Sequence, residues 1–364
     1  MADRLLFLVP AVKDPAETGG ELFNLNLCRG LAADWDLTVA TFEDIGLTER
    51  TSAAYETATS QYLRAHGKFD AIVQDTYVFP FSGPANRLLS ASAPLIGFGQ
   101  AVYSERFKRP WTRWKQDRCM AAVYGTYAGL IVVSDAMKHH AEKLGVTASQ
   151  IRVVPPGFAL RDAPPLSVER NSSPIRLVTA GSYQPSKGQH LVIEGLALLL
   201  AKRREFAGRL VLEMHGNLGY APDYVASLRR LVQDKGLGES VVVEGPLQQQ
   251  GLWELFSRSH LFCFVAQGEG FGMVTLESML CGCVPLLCDD DLSRSLTGGE
   301  VGEMVAPDPK SIADGLERLL DRFGDWEAES AVSQRRAKTV ALSWDETIER
   351  FSRSIRELAG LSIR

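Results

Sequence analysis

A chain of 364 residues, 45 % hydrophobic and 23 % charged, has a globular composition and is too long for one ordinary core. Two domains of similar size are therefore expected. The net charge of −5 argues against a whole-molecule field that attracts nucleic acid and leaves only local basic patches open. No run is long and apolar enough to span a bilayer.

In chain order, the first apolar run, Arg4–Val9, soon meets Pro10, Lys13 and Asp14. It reads as a buried strand and not as a signal peptide, so the cytoplasm is the default compartment. Further strands are expected at Asp36–Ala40, Ala71–Gln74, Pro94–Phe98, Gly129–Val133 and Ile151–Val154, with helices between them at Glu21–Ala33, Ala53–Ala65 and Ala136–Leu144. Strands apolar throughout and separated by helices predict a parallel sheet covered on both faces. Prolines 155, 156, 164 and 165, then the polar cluster Asn171-Ser-Ser-Pro174, read as a linker. The alternation restarts with strands at Ile175–Ala180, Leu210–His215, Val241–Glu244, Leu261–Val265 and Val284–Cys288. Its helices are expected at Gly188–Ala201, Tyr224–Asp234, Leu247–Ser257 and Gly272–Cys281, and a last amphipathic helix at Trp344–Leu358. The fold class is α/β, with two Rossmann-like doubly wound domains facing a central cleft. The expected boundaries are 1–163, 164–343 and a terminal helix, 344–364, free to pack back on the first domain. The six cysteines form no C-x-x-C pair, which argues against zinc and for free, buried, reduced thiols.

Chemistry concentrates in Glu269-Gly-Phe-Gly-Met-Val-Thr-Leu-Glu277, a glycine-rich loop between a strand and a helix. Gly268, Gly270 and Gly272 let the backbone approach a ligand, and a helix start offers unpaired N–H donors and a positive dipole end. A phosphate is the natural guest; a tight turn packing helix on sheet is the plain alternative. At helical rise Glu269 and Glu277 stand roughly 12 Å apart. Carboxylate pairs that cleave a glycosidic bond stand about 5 to 9.5 Å apart, so this spacing fits an elongated ligand better. A solvated helix glutamate is the competing reading of Glu277.

This Glu-Gly-Phe-Gly-x4-Glu pattern resembles the signature of retaining GT-B glycosyltransferases of family 4, also called glycosyl transferases group 1. The resemblance continues through Cys281-Gly-Cys-Val-Pro285, Ala180-Gly-Ser-Tyr-Gln-Pro-Ser-Lys-Gly188, Val241-Val-Val-Glu-Gly245 and Val301-Gly-Glu-Met-Val-Ala-Pro307. In the first half, Gly19-Gly20, Ser134-Asp-Ala-Met-Lys138 and Val153-Val-Pro-Pro-Gly157 are similar to family segments. The resemblance implies donor-sugar contacts from Glu269, beside the Gly270, Phe271 and Gly272 amides. It implies phosphate contacts from the Met273 and Val274 amides, ribose contacts from Glu277, neutralisation of the leaving diphosphate by Lys187, and a base bordered by Leu247. Gly19 and Gly20 would face the diphosphate. His215 and Gly216, at a strand end, would approach the donor; a purely structural histidine is the alternative. Three positions depart from the pattern: Ser182 replaces a phosphate-binding Arg, Gln100 an active-site His, and Pro156 an Asn.

The implied activity is transfer of a sugar from a nucleotide diphosphate sugar, of the UDP or GDP type, to an acceptor hydroxyl with retention, without cofactor or metal. A nucleotide-sugar epimerase on the same fold and a catalytically weak sugar-nucleotide-binding subunit are the alternatives. The acceptor class, whether glycan, lipid or small molecule, is left open. Two further features compete for a role. Asp289-Asp-Asp291 has D-x-D form for a hard cation, or lines the acceptor side. Ser104–Arg118 interleaves basic residues with Phe107, Trp111 and Trp114 at one helical face. That face either touches an anionic membrane or acceptor, or packs its aromatics into the domain, with Pro110 in the first turn.

Overall fold

The computed structural model describes residues 2–14, 16, 18–76, 82–102, 109–157, 173–339 and 343–363. The chain divides into two compact units, Met1–Phe158 with Ala341–Arg364, and Ala159–Val340.

The first unit runs β1 (Arg4–Leu8), α1 (Gly19–Leu31), β2 (Asp36–Ala40), α2 (Ser52–His66), β3 (Ala71–Asp75), α3 (Gly83–Ser92), β4 (Leu95–Gly99), α4 (Pro110–Tyr124), β5 (Gly129–Val132), α5 (Asp135–Lys143) and β6 (Ile151–Val153). The second runs β7 (Ile175–Ala180), α6 (Gln189–Lys202), β8 (Leu210–His215), α7 (Pro222–Asp234), β9 (Val241–Glu244), α8 (Gln249–Arg258), β10 (Leu261–Phe264), α9 (Met273–Leu280), β11 (Val284–Cys288), α10 (Asp291–Thr297), β12 (Glu303–Val305), α11 (Pro309–Asp321), α12 (Phe323–Glu327) and α13 (Glu329–Ala337). Finally α14 (Trp344–Ala359) joins the first unit.

Each unit holds a six-stranded sheet, ordered β2-β1-β3-β4-β5-β6 and β12-β11-β10-β7-β8-β9, and each strand pairing is parallel. Parallel pairing needs helical crossovers, which cover both faces and bury β3, β4, β5, β10 and β11 along their whole length. The second sheet has the order that reverses direction between β7 and β10. That reversal opens a crevice outside the carboxyl ends of the two strands, where ligands of doubly wound sheets bind.

Helix ends follow local chemistry. Thr18 and Glu21 form a reciprocal capping box that starts α1 at Gly19, two residues ahead of the expected Glu21. Ser343 and Glu346 do the same for α14. Helices α3 and α10 to α13, and strand β12, lie outside the sequence expectation. Strand β12 has only three residues, too few for a periodic signal. Helix α4 begins at Pro110, inside the expected Ser104–Arg118 segment, and continues to Tyr124. Much of the expected linker falls on 158–172, outside the described residues. The six cysteines are unbridged, four of them buried and Cys28 and Cys119 half-buried.

Candidate functional site

In the second unit, chain leaves β7 through Gly181-Ser-Tyr-Gln and a single 3-10 turn, Pro185–Lys187. Gly188 then takes a left-handed conformation (φ 73°) and a Cβ there would stand 2.4 Å from the Val265 carbonyl oxygen. Only glycine lets this loop lie against the end of β10. The Gln267 N–H donates to the Ser186 carbonyl at 2.7 Å, which ties the loop after β10 to the loop after β7. The two loops bring Lys187 and Glu269 together: Lys187 Nζ donates to Glu269 Oε2 at 2.5 Å, with both side chains largely shielded. The other carboxylate oxygen, Oε1, accepts the Gly272 N–H at 3.3 Å. Gly272 is itself left-handed (φ 79°) and caps α9. The first hydrogen bonds to its carbonyl come from Thr275 and Leu276, so the Met273 and Val274 amides stand at the open end of α9. A lysine, a carboxylate and a helix amino end thus meet at the β7/β10 reversal, with Phe264 under the lysine at 5.4 Å.

Glu277 sits in the second turn of α9 and is 7 % exposed, which overturns its reading as a solvated helix glutamate. Helix α8 supplies its partner: Gln249 Nε2 donates to Glu277 Oε1 at 2.8 Å. Burial raises its pKa to about 7, and the hydrogen bond from Gln249 opposes that rise. Sequence reasoning missed Gln249. The signal was its placement at the amino end of the helix after β9, which no local pattern distinguishes from Gln248 or Gln250.

The remaining residues singled out in this unit are engaged locally. Ser182 Oγ accepts from Gln184 Nε2 at 2.7 Å, and its carbonyl accepts from Gln189 Nε2 at 3.0 Å. His215 ends β8, with Nδ1 3.2 Å from the Gly245 carbonyl oxygen. Gly216 is required by packing: a Cβ would lie 2.2 Å from the Gly181 carbonyl oxygen and 3.1 Å from the Tyr183 ring. Leu247 is exposed just ahead of α8. Of the aspartates at 289–291, Asp290 caps α10 by accepting from the Ser293 N–H at 2.7 Å, while Arg294 pairs with Asp289 at 2.6 Å and Asp291 at 3.4 Å. This triplet is a helix start tied by an arginine. Among the described residues no group of three or more potential ligands is gathered for a metal.

In the first unit, Gln100 follows β4 and donates through Nε2 to Asn24 Oδ1 at 2.9 Å and to Asp75 Oδ2 at 3.0 Å. Asn24 and Asp75 are buried. Gly20, in the first turn of α1, lies beside this cluster, since a Cβ on it would meet Gln100 Oε1 at 3.1 Å; Gly19 precedes it as the first helical residue. Asn24 and Asp75 were not picked out in the sequence. A polar residue on the buried face of a helix, and an aspartate closing an apolar strand, are the signals that point to them.

Two aromatics of the 104–118 segment, Trp111 and Trp114, do not pack inward. Trp111 and Trp114 are 72 % and 48 % exposed, and Phe107 lies outside the described residues.

Known proteins match this arrangement along most of the chain. The glycosyl transferases group 1 model matches residues 166–336 and the Glycosyltransferase Family 4 model residues 18–161. The chain belongs to the family 4 glycosyltransferases. A D-inositol 3-phosphate glycosyltransferase of Thermobispora bispora is 28 % identical over 213 residues, covering 56 % of this chain and 49 % of that protein. The chain spans about half the length of the curated relatives it matches. Among solved structures, sucrose-phosphate synthase from Thermosynechococcus elongatus superposes with a TM-score of 0.76 at 19 % identity, over 99 % of this chain and 100 % of that one. Anabaena HepE in complex with UDP-glucose gives 0.72 at 17 % identity, over 95 % and 98 %. These likenesses establish a GT-B fold. Glu269 lies in the loop and Glu277 in the helix, so the two carboxylates occupy separate environments: one paired with a lysine, the other buried against α8.

Proposed function

We propose that this family 4 chain moves a sugar from a nucleoside diphosphate sugar, of the UDP or GDP type, to an acceptor hydroxyl with retention of configuration and without metal. The observation that carries the reading is the meeting of Lys187, Glu269 and the amino end of α9 at the β7/β10 reversal. The glycosyltransferase activity named for its relatives and the UDP-glucose bound to a protein of the same fold support it. Each group has a task. The Met273 and Val274 amides and the dipole of α9 receive phosphate oxygens. Glu277 accepts hydrogen bonds from ribose hydroxyls, and Gln249 holds it in place. Glu269 accepts from sugar hydroxyls, beside the Gly270, Phe271 and Gly272 backbone. Ser182, Leu247, His215 and Gly216 border the nucleotide.

As the bond from the anomeric carbon to the diphosphate oxygen breaks, negative charge collects on that oxygen. Lys187 turns from its pairing with Glu269 to share that charge with the α9 amides, the kind of stabilisation that is often the largest catalytic contribution. The acceptor oxygen forms the new bond on the same face, and its proton passes to an oxygen of the departing diphosphate. Ser182 stands where the family pattern has an arginine, so Lys187 carries more of the task. Lys187→Ala is expected to lower kcat about 100-fold. The check is turnover against a panel of UDP- and GDP-sugars, after nucleotide binding is shown by thermal shift. A ligand at 100 times its Kd adds about 2.7 kcal/mol of stability. Unchanged turnover in the variant removes Lys187 from the mechanism, and no shift with any nucleotide removes the donor reading.

A further inference from the structure

Helix α4 is built inside out over its first two turns. A surface helix ordinarily turns polar residues outward. In α4 the first buried side chain is Met120, followed by Val123 and Tyr124, so only the later turns anchor the helix. At 100° per residue, Trp111, Trp114, Lys115 and Arg118 fall on the face opposite those three. Trp111 is the most exposed of the large hydrophobic side chains among the described residues. The two indoles stack on each other, with centroids 4.8 Å apart and planes 23° apart, and the Arg118 guanidinium lies 5.2 Å from the Trp114 centroid. Arg109 and Arg113 fall on the Met120 side, so this outer face carries the cations Lys115 and Arg118 and no carboxylate. This concentration of positive charge sits in a chain of net charge −5.

We infer that the outer face of α4 is a docking surface for an anionic lipid bilayer, with Trp111 and Trp114 entering the headgroup region and Lys115 and Arg118 meeting lipid phosphates. Indole has an apolar body with one polar N–H and settles at the boundary between hydrocarbon and water. Lysine and arginine keep their charge at the headgroups while their stems lie along apolar surface. The helix face is convex, which suits a planar surface better than a sugar ring that needs a cleft. The indoles also spend one face each on the other, and so offer less open ring for stacking on a carbohydrate. Because the whole chain is acidic, attachment depends on this patch and weakens with salt.

The test is co-sedimentation of the full chain with vesicles of phosphatidylcholine alone and of an equal mixture of phosphatidylcholine and phosphatidylglycerol. The protein is expected to bind the mixed vesicles only and to be released by sodium chloride. Trp111→Ala with Trp114→Ala should lower the partition coefficient at least about tenfold, the scale of one apolar side chain returned to water. Lys115→Glu with Arg118→Glu should abolish binding, with circular dichroism and melting temperature unchanged; this exposed pair decides the matter even where the tryptophan variant folds poorly. No binding to mixed vesicles, or equal binding by wild type and both variants, overturns the inference. So does tryptophan-dependent self-association, or tryptophan-dependent capture of a soluble anionic polysaccharide without vesicle binding. Vesicle binding is measured without nucleotide, so its failure leaves the donor reading standing.

Discussion

Glu277 is the residue whose chemistry departs furthest from its appearance in the sequence. A glutamate in the second turn of a helix is ordinarily solvated, yet here it is buried and its pKa is raised from 4.5 to about 7. The folded protein therefore keeps this proton over a range in which the unfolded chain has lost it. The resulting cost to stability is absent below about pH 4.5, grows as pH rises towards 7, and is complete above it. At 1.36 kcal/mol per unit the full cost is about 3 kcal/mol. Glu277→Gln keeps the acceptor for Gln249 and cannot ionise. It should melt above wild type at pH 8, lose that advantage by pH 5, and bind nucleotide more weakly. Melting temperatures across pH give the answer; a difference independent of pH would mean that ionisation of Glu277 is not the source. The carboxylate's presence was legible from the E-x7-E spacing. Its burial was not, because it depends on α8, twenty-eight positions away by hydrogen bond.

At the scale of elements, glycines set how closely the loops of the second unit pack. Gly188 and Gly216 each allow two loops to touch through backbone atoms, at positions where a Cβ would stand 2.4 and 2.2 Å from a carbonyl oxygen. Gly216 also rests on Tyr183, whose hydroxyl donates to the Met214 and Glu244 carbonyls and ties the ends of β8 and β9. Gly216→Ala and Gly188→Ala are expected to lower stability by about 1–3 kcal/mol or more, as overpacking does. Gly238→Ala is the control, since its Cβ would meet only the Gln233 side chain at 3.7 Å. Chemical denaturation of the three variants measures this, and equal stability of Gly216→Ala and Gly238→Ala would refute the packing argument. From sequence, glycines near a strand end are read as ligand approaches; for Gly216 the contact that demands glycine is with the protein's own backbone.

Across the whole molecule, the terminal helix belongs to the first unit's core. Phe351 packs edge-on against Phe98, with centroids 5.0 Å apart, and Phe23 lies between Phe98 and Trp344. Arg356 is buried, with Nη1 2.5 Å from Asp3 Oδ2 and its guanidinium 4.2 Å above the Trp35 ring. At Gly157 and Gly30 the chain has no room for a Cβ beside Trp344 and Ile348. Phe351→Ala should cost about 3–5 kcal/mol, as for other buried aromatics. Calorimetry is expected to show the loss in the transition of the first unit, with nucleotide still raising that of the second. A melting profile unchanged by the substitution would show that α14 contributes little to the core.

The sequence by itself determined the parallel α/β class, the doubling of the unit, most of the strands, the carboxylate-bearing loop and the family. Those features rest on local periodicity and on motifs a few residues long, which hydrophobic burial and backbone geometry impose at short range. Tertiary structure alone decided that Lys187 pairs with Glu269, that Glu277 is buried against Gln249, and that Gln100 is held by Asn24 and Asp75. It also decided that Trp111 and Trp114 face outward. Each of these depends on which distant elements pack together, and side-chain charge, exposure and proton affinity are set by such neighbours and not by position in the chain.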